Sequence, residues 1–265
     1  MKILAVASAK GGVGKTTVTE SLAVALSRLT HRTVLAVDLD PQNALALHLG
    51  VDPQELRGLS RSSLAGQDWR AVCFERHEGV YALPFGVVTE EDRTTLEAQI
   101  AAEPRWLAQQ LHALDLPDDA LVLLDTPPGP SVYGQQALST AQWVVVVMLA
   151  DAASYATMPL MQRMVQTYCT PRPEFAGAFY LLNQLNSARQ LSQDILRVLR
   201  ESVGDSYLGA IHADEAVPEA LALGQSVLDH GPYSQARHDI MALASALAER
   251  MQVLPAAHHP GRGSQ

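Results

Sequence analysis

The chain has 265 residues, of which 48% are hydrophobic, and its 19 Lys and Arg against 28 Asp and Glu give a formal net charge of −9. This length and composition suit one sizeable α/β domain. The acidic balance argues against a protein that coats nucleic acid, because such proteins present a basic surface. Two cysteines without a CxxC pair exclude a disulfide framework and a cysteine-only zinc site.

The apolar segments do not predict a membrane element. The apolar run that follows Met1 is short and leads into glycines, unlike a signal peptide. The longest apolar stretch, residues 143–150, is far below the roughly 20 residues that span a bilayer. We therefore expect a cytoplasmic protein, whose recruitment to the inner membrane or a cell pole would depend on a partner.

Short apolar runs alternate with longer helical patterns along the chain. Several runs are apolar on both faces, which is typical of buried parallel strands. A spacing of three and four residues between apolar positions predicts helices at 18–29, 191–203 and 233–251. We predict an α/β fold with a mostly parallel twisted sheet of about seven or eight strands, flanked by helices on both faces as a three-layer sandwich. The predicted strands are 2–8, 33–38, 79–84, 120–125, 143–149, 177–183 and 206–211.

The domain boundaries follow from the same pattern. Residues 1–253 are predicted to form a single domain, and residues 254–265 a tail without regular structure. Residues 52–78 and 86–104 are more polar and less regular than the rest. They are predicted to be loops or helical insertions near the active face, and are candidate partner surfaces.

The first predicted strand leads into KGGVGKT, residues 10–16. A glycine-rich turn between a strand and a helix lets backbone N–H groups converge on a phosphate, and the helix dipole adds to the attraction. In such a loop Lys15 contacts the β and γ phosphates, and the Thr16 hydroxyl faces Mg²⁺. Ala9 stands where the general pattern G-x-x-x-x-G-K-[ST] has its first glycine.

The form K-G-G-x-G-K-T resembles the deviant Walker A loop of the ParA/MinD family of P-loop ATPases. The resemblance implies ATP and Mg²⁺ as cofactors, slow ATP hydrolysis, and a homodimer of ATP-bound subunits. It also implies that Lys10 reaches the phosphates held by the other subunit, which supplies a cation in trans. The nucleotide-binding residues that it implies in the loop are Lys10, Gly11, Gly12, Val13, Gly14, Lys15, Thr16 and Thr17.

Acidic residues follow two of the predicted strands. Asp38 and Asp40 lie two residues apart after the second strand, so their side chains point to the same side. The segment resembles the family's D-x-D-P-Q, which implies that Asp38 lies near magnesium and that Asp40 orients the attacking water. Asp125 opens DTPPG, which resembles the family's D-[ST]-P-[AP]-G and implies a magnesium-linked acid. The implied catalytic residues are thus Lys10, Lys15 and Asp40, and the implied metal residues Thr16, Asp38 and Asp125.

The adenine side of the site is less well marked. Asn183, in LLNQL, matches the family position whose amide reads the adenine edge, and an amide can both donate and accept hydrogen bonds. His212 stands where the family has a proline, which leaves that adenine-side contact open.

The phrases at 81–86, 214–225 and 233–240 are similar to those of the MinD-like ATPases of bacterial cellulose-synthase operons, the BcsQ or YhjQ branch. This resemblance implies support of the assembly, localisation or regulation of cellulose synthesis and secretion, with the cellulose-synthase complex or its accessory subunits as partners.

Two alternatives stay open. A plasmid- or DNA-partitioning ParA-like ATPase would need a basic patch, whereas the late cluster of Arg189, Arg197 and Arg200 is diluted by Asp194 and Glu201, so we expect no strong nucleic-acid binding. A metabolic P-loop enzyme of the dethiobiotin-synthetase type would need a substrate pocket that the sequence does not reveal.

The last predicted helix carries few cations, so we expect it to dock on the core and not to serve as an autonomous membrane anchor.

Overall fold

The computed structural model describes residues 1–52 and 54–254. Within these residues the chain alternates between strands and helices. The strands are β1 (Lys2–Ala7), β2 (Val34–Asp38), β3 (Phe74–His77), β4 (Val80–Leu83), β5 (Leu121–Asp125), β6 (Trp143–Leu149), β7 (Gly177–Leu185) and β8 (Tyr207–His212). The helices are α1 (Lys15–Thr30), α2 (Ala44–His48), α3 (Leu59–Leu64), α4 (Glu90–Ala102), α5 (Trp106–Ala113), α6 (Val132–Thr140), α7 (Ala152–Ala156), α8 (Met158–Tyr168), α9 (Gln190–Val203), α10 (Ala216–Ala222), α11 (Val227–His230) and α12 (Gln235–Arg250).

The strands form one sheet in the order β3-β4-β2-β5-β1-β6-β7-β8. Neighbouring strands are parallel except β3, which is antiparallel to β4 at the edge. The predicted mostly parallel sheet with helices on both faces is confirmed, and all seven predicted strands are present. The eighth strand, β3, was not predicted because its sequence FERH carries no apolar run and it lies in the polar segment 52–78.

Alternating residues of the central strand feed two separate cores. Leu4 and Val6 of β1 point into the core that contains α1 and α12, while Ile3, Ala5 and Ala7 point into the core on the other face. All five side chains are buried. This two-residue alternation is why strands that are apolar on both faces predicted a sheet covered by helices on both sides.

Helix α12 docks on the core as expected. Its stripe of Ile240, Leu243 and Leu247, continued by Met251, is buried in the cluster shared with α1. In the described part of the chain, no helix combines the length and the apolar character needed to cross a membrane. Of the predicted tail, all residues except Leu254 lie outside the described residues.

The two polar segments pack against each other. The first contributes α3 and β3, and the second contributes α4. Ser60 of α3 donates its hydroxyl to the Phe85 carbonyl at 2.6 Å, and Gly58 lies directly against Gly86. Asn43 ties this layer to the loop after β2, because its Oδ1 accepts the Gly86 N–H at 3.0 Å. The segments therefore form one surface layer beside the loop that carries Asp40.

A glutamate is buried within α1, one turn beyond the phosphate loop. Glu20 is 3% exposed, and its Oε2 accepts a hydrogen bond from the Ser21 hydroxyl at 2.8 Å. Its other oxygen has no hydrogen-bond partner among the described residues. Burial raises the pKa of Glu20 to about 7, against 4.5 for a free glutamate, with the nearby hydroxyls of Ser226 and Ser21 opposing the rise.

This buried acid predicts a pH-dependent stability. The pKa of Glu20 is higher in the folded chain than in the unfolded chain. Between pH 4.5 and pH 7 the folded chain therefore keeps a proton that the unfolded chain releases. The free energy of unfolding consequently falls as pH rises through this window. We expect Glu20→Gln to abolish this loss, roughly 3 kcal/mol over that window. Urea denaturation at pH 5 and pH 8 measures it, with the exposed Glu201→Gln as control. Equal pH dependence in wild type and Glu20→Gln would contradict the prediction.

Candidate functional site

The glycine-rich loop joins β1 to α1 at the carboxyl edge of the sheet. Gly12 and Gly14 both have left-handed backbone angles, with φ of 73° and 84°. Gly14 is the residue before the first turn of α1, and no side chain of the described residues caps that turn. The first N–H groups of α1 therefore remain available to an anion, and the positive end of the helix dipole reinforces them.

Two buried carboxylates meet beneath this loop. Asp38 and Asp125 end the adjacent strands β2 and β5 and are direct partners in the sheet register. Asp38 accepts the N–H groups of Asp40 and Leu45, each at 2.9 Å. The Thr16 hydroxyl donates to Asp125 Oδ2 at 2.6 Å. The structure thus brings together the three residues that the resemblance assigned to magnesium.

The charges of this cluster oppose one another. Burial, reinforced by repulsion from Asp125, raises the pKa of Asp38 well above its usual value. Burial also raises the pKa of Asp125 to about 6, although the Thr16 hydrogen bond and the charge of Lys15 act in the other direction. Burial lowers the pKa of the Lys15 ammonium, while Asp125 and Asp40 counteract it. A divalent cation entering here would supply the positive charge that the buried carboxylates lack. A phosphate would supply negative charge to the Lys15 ammonium.

Asp40 lies in the loop that follows β2. Its Oδ1 accepts the Gln42 N–H at 3.0 Å, an Asx turn that holds the carboxylate at the edge of the site. The side chain is partly exposed, and its charge acts on both Lys15 and Asp125. Asp40 therefore lies at the solvent side of the same cluster, where it can contact water.

Lys10 is paired within its own subunit. Its Nζ lies 3.1 Å from Oδ2 of Asp151, and the two side chains are 37% and 38% exposed. Asp151 also accepts the Ser154 N–H at 2.6 Å as the cap of α7. Although burial alone would raise it, these hydrogen bonds hold the pKa of Asp151 below its usual value. A pair this exposed contributes at most about 1 kcal/mol, so Lys10 can leave it at little cost.

The segment after Asp125 lies over the glycine-rich loop. Thr126 donates its hydroxyl to the Val6 carbonyl, and Gly129 donates its N–H to the Ser8 carbonyl, both at 2.9 Å. These bonds attach the DTPPG segment to the end of β1.

A cavity of about 360 Å³ adjoins the first turn of α1 and lies between the ends of β7 and β8. Asn183 lines it, and its Nδ2 donates to the Val13 carbonyl at 2.9 Å. Its amide nitrogen thus supports the glycine-rich loop, a contact that the prediction of adenine reading did not include. Gln184 beside it has a left-handed φ of 54°, where the pairing of β7 with β8 shifts by one residue. This bulge turns Asn183 and Gln184 towards the cavity.

Sequence reasoning missed part of the cavity wall. Gln184 and Asp214 line it but were not predicted, and nothing in their local sequence marks them. His212 also lines it. The only signal for His212 was its replacement of a proline.

The residues present fit a phosphate-bound magnesium ion. Thr16, Asp38 and Asp125 offer only oxygen ligands, the type that Mg²⁺ prefers, and Mg²⁺ commonly uses one or two carboxylates together with substrate phosphates and waters. No group of three His, Cys, Asp or Glu side chains is placed to hold a metal ion by itself within residues 1–52 and 54–254. A Cβ at Gly14 would collide with the Asn183 amide, so only a glycine fits against Asn183 as it stands.

Comparisons with known proteins agree with this geometry. The profile of the family described as "Cellulose biosynthesis protein BcsQ" matches residues 1–247. The BcsQ protein of Salmonella typhimurium is 30% identical over 247 residues, which cover 92% of this chain and 93% of that protein. The chromosome-partitioning ATPase Soj of Thermus thermophilus is 31% identical over 255 residues, covering 94% and 96%. The solved structure of the septum site-determining protein MinD from Pyrococcus horikoshii, complexed with Mg-ADP, aligns with a TM-score of 0.73 and 26% identity over 95% of this chain and 98% of that one.

The two left-handed glycines provide a matched pair of variants. Gly12→Ala and Gly14→Ala both strain a left-handed residue, at a cost of about 1–2 kcal/mol each. An alanine at position 12 enters open space, whereas one at position 14 strikes the Asn183 amide. We expect Gly14→Ala to lose clearly more unfolding free energy than Gly12→Ala in urea denaturation. Equal losses would mean that the Asn183 side chain moves away freely and does not brace the loop.

Proposed function

Since this chain belongs to the BcsQ family of cellulose biosynthesis proteins, whose relatives include ParA/MinD ATPases, we propose that it is an ATP-dependent dimerisation switch. It binds Mg²⁺ and ATP, dimerises in the ATP-bound state and hydrolyses ATP slowly. The observation that carries the proposal is the contact of Thr16 with Asp125 beneath the glycine-rich loop, with Lys15 buried beside them.

The phosphates are held by the chain's own loop. The N–H groups from Gly11 to Thr17 and the Lys15 ammonium bind the β and γ phosphates. Thr16 and Asp125 supply oxygen ligands to the metal, with Asp38 behind them, and bound magnesium would neutralise charge on the phosphates. Asn183 lies at the base side of the same site.

Hydrolysis needs two further groups. Asp40, held at the solvent side of the cluster by its Asx turn, orients the attacking water. Lys10 leaves Asp151 and reaches the phosphates of the partner subunit, where its charge stabilises the transferring phosphoryl group. Because each site needs a lysine from the other subunit, hydrolysis waits for dimerisation.

The cellular role that we propose is support of cellulose synthesis and secretion, with subunits of the cellulose-synthase complex as partners. The layer made by residues 52–78 and 86–104 is the candidate partner surface, because Asn43 joins it to the loop of Asp40. A partner bound there can recruit the protein from the cytoplasm to the inner membrane or a cell pole.

The similarity to Soj supports a second candidate, DNA partition. The late arginine cluster does not favour it. Arg197 is paired with Asp194 at 2.9 Å, and the guanidinium of Arg200 lies 4.8 Å from the centre of the Tyr207 ring. The Arg197 pair is exposed and weak, but the carboxylates of Asp194 and Glu201 leave this cluster with little net positive charge for a DNA backbone.

We expect Asp40→Ala to lower ATP turnover by about 10²–10⁴-fold, because the group that orients the water is lost, while ATP still binds through Lys15 and the loop N–H groups. The variant then accumulates as an ATP-bound dimer, which size exclusion with light scattering detects in the presence of ATP and Mg²⁺. Asp40→Asn keeps the acceptor of the Asx turn and should behave alike, and the exposed Asp205→Ala should resemble wild type.

An Asp40→Ala chain that remains monomeric and still turns over ATP would contradict the proposal. The trapped dimer also separates the two cellular roles, since it can be tested against cellulose-synthase subunits and against random duplex DNA. ATP-dependent binding to that DNA at micromolar concentration and physiological salt would favour partition.

We expect Lys10→Ala to lower dimer-linked hydrolysis by about 10³-fold or more, the size of effect that a cation supplied in trans produces. ATP affinity should change little, because the chain's own loop and Lys15 hold the nucleotide. Steady-state turnover and equilibrium binding of ATP measure the two quantities separately.

The matched control for Lys10→Ala is Asp151→Asn, which removes the charge that pairs with Lys10 and keeps the acceptor for the Ser154 N–H. It should retain hydrolysis. An equal loss of ATP binding and turnover in Lys10→Ala would point to a role of Lys10 within its own subunit.

A further inference from the structure

Asn43 lies immediately before α2, but its side chain does not cap that helix. Asparagine is favoured at such a position because its side-chain oxygen can accept N–H groups of the first turn. Among the described residues, the Asn43 side chain makes no such bond to α2. Its Oδ1 instead accepts the N–H of Gly86 at 3.0 Å, 43 positions further along the chain. The side chain therefore serves a contact outside its own helix.

The backbone of Asn43 closes the turn that carries Asp40. Its N–H donates to the Asp40 carbonyl at 2.9 Å. Its φ is 53°, in the left-handed region that asparagine enters more readily than most residues. Asp38 fixes the start of the turn, because its carboxylate accepts the Asp40 N–H at 2.9 Å. The placement of the Asp40 carboxylate therefore depends on where Asn43 is held.

The group that holds Asn43 is itself fixed by close packing. Gly86 is buried, so its N–H needs a partner inside the protein. Its backbone lies against that of Gly58, and a Cβ at Gly86 would come within 2.8 Å of the Gly58 nitrogen. A Cβ at Gly58 would in turn strike the Gly86 nitrogen. The contact between the two polar segments thus sets the position of the donor.

The bond between Asn43 and Gly86 joins the Asp40 loop to the surface layer of residues 52–78 and 86–104. In the part of the chain that the structure describes, no other hydrogen bond connects residues 39–43 with that layer. A cavity of about 390 Å³ adjoins the bond, and both Asn43 and Gly86 line it. A displacement of the layer at Gly86 therefore reaches the Asp40 loop through one side chain.

We propose that Asn43 is a positioning residue for Asp40, and that its hydrogen bond with Gly86 makes ATP turnover depend on the surface layer. The proposal rests on the proposed function, because it takes Asp40 as the group that orients the attacking water. A displacement of about 1 Å in such a group costs roughly 10²-fold in rate. A partner that moves Gly86 therefore alters turnover without touching the nucleotide.

The first test compares kcat at saturating ATP and Mg²⁺ with equilibrium binding of ATP. Asn43→Gly keeps the left-handed backbone accessible and removes the acceptor of the Gly86 N–H. It should lower kcat by about 10- to 100-fold and leave ATP affinity within about threefold of wild type, because only the placement of Asp40 changes. A loss of ATP affinity as large as the loss of kcat would mean that the whole site is disturbed, and would overturn the proposal.

A conservative variant tests the role of the Asn43 oxygen. Asn43→Asp keeps an acceptor in the same place and should restore most of the turnover that Asn43→Gly loses. Gln42→Glu adds the same negative charge to an exposed side chain of the same loop, and so measures the effect of charge by itself. If Asn43→Asp is as slow as Asn43→Gly and Gln42→Glu is not, the hydrogen bond does not position Asp40.

A double variant shows whether Asn43 acts through Asp40. In the Asp40→Ala background, Asn43→Gly should lower single-turnover hydrolysis no further, because the group that it positions is gone. A further loss of about 10-fold would mean that Asn43 acts independently of Asp40. Wild-type kcat in Asn43→Gly beside a slow Asp40→Ala chain overturns this proposal alone, whereas full turnover in Asp40→Ala overturns the proposed function as well.

A last pair of variants perturbs the layer and leaves the Asp40 loop untouched. Gly86→Ala and Gly66→Ala each place an alanine at a left-handed glycine of the layer, with φ of 84° and 63°. The alanine at position 86 strikes the Gly58 backbone, whereas the one at position 66 enters open space. We expect Gly86→Ala to lower kcat with little change in ATP affinity, and Gly66→Ala to match wild type. Equal kcat in the two folded variants would contradict control by the layer, and if Gly86→Ala does not fold, the Asn43 variants decide the proposal.

Discussion

The burial of two carboxylates side by side is the constraint on which the site depends. Asp38 and Asp125 are register partners on adjacent strands, and both are almost completely shielded from water. Such a pair is costly unless cations or donors surround it. The backbone N–H groups of Asp40 and Leu45, the Thr16 hydroxyl and the Lys15 charge supply those donors. The first two come from the segment after β2 and the last two from the start of α1, so the pair aligns these two segments with the end of β5.

The two lysines of the loop are held in place by different interactions. Lys15 is 7% exposed and belongs to the buried charge cluster, so its position is fixed by the fold itself. Lys10 is more than a third exposed and bound only to the equally exposed Asp151. An ion pair of that kind is weak enough for a partner's phosphates to displace. A fixed lysine suits binding of the chain's own nucleotide, and a loosely held one suits a switch that acts between subunits.

The sequence predicted the parts of the structure that depend on local patterns. The parallel strands and the loop from Lys10 to Thr17 were predicted because apolar runs and glycine spacing are local features. The edge strand β3 was not, because FERH becomes a strand only by pairing with β4. The sequence did not predict the bulge at Gln184 or the partners of His212. Both features arise where β7, β8 and α12 meet, and the residues involved are up to 55 positions apart in the chain.

The two halves of the candidate nucleotide site are therefore built in different ways. The phosphate half uses backbone N–H groups and buried charge, and the Thr16 hydroxyl joins the start of α1 to Asp125 within it. The cavity beside it is enclosed by the ends of β7 and β8 and by residues of α1, α10 and α12, several of which also pack in the core. The Asn183 amide, which lines the cavity and donates to the Val13 carbonyl, connects the two halves, so the shape of the cavity and the position of the glycine-rich loop depend on each other.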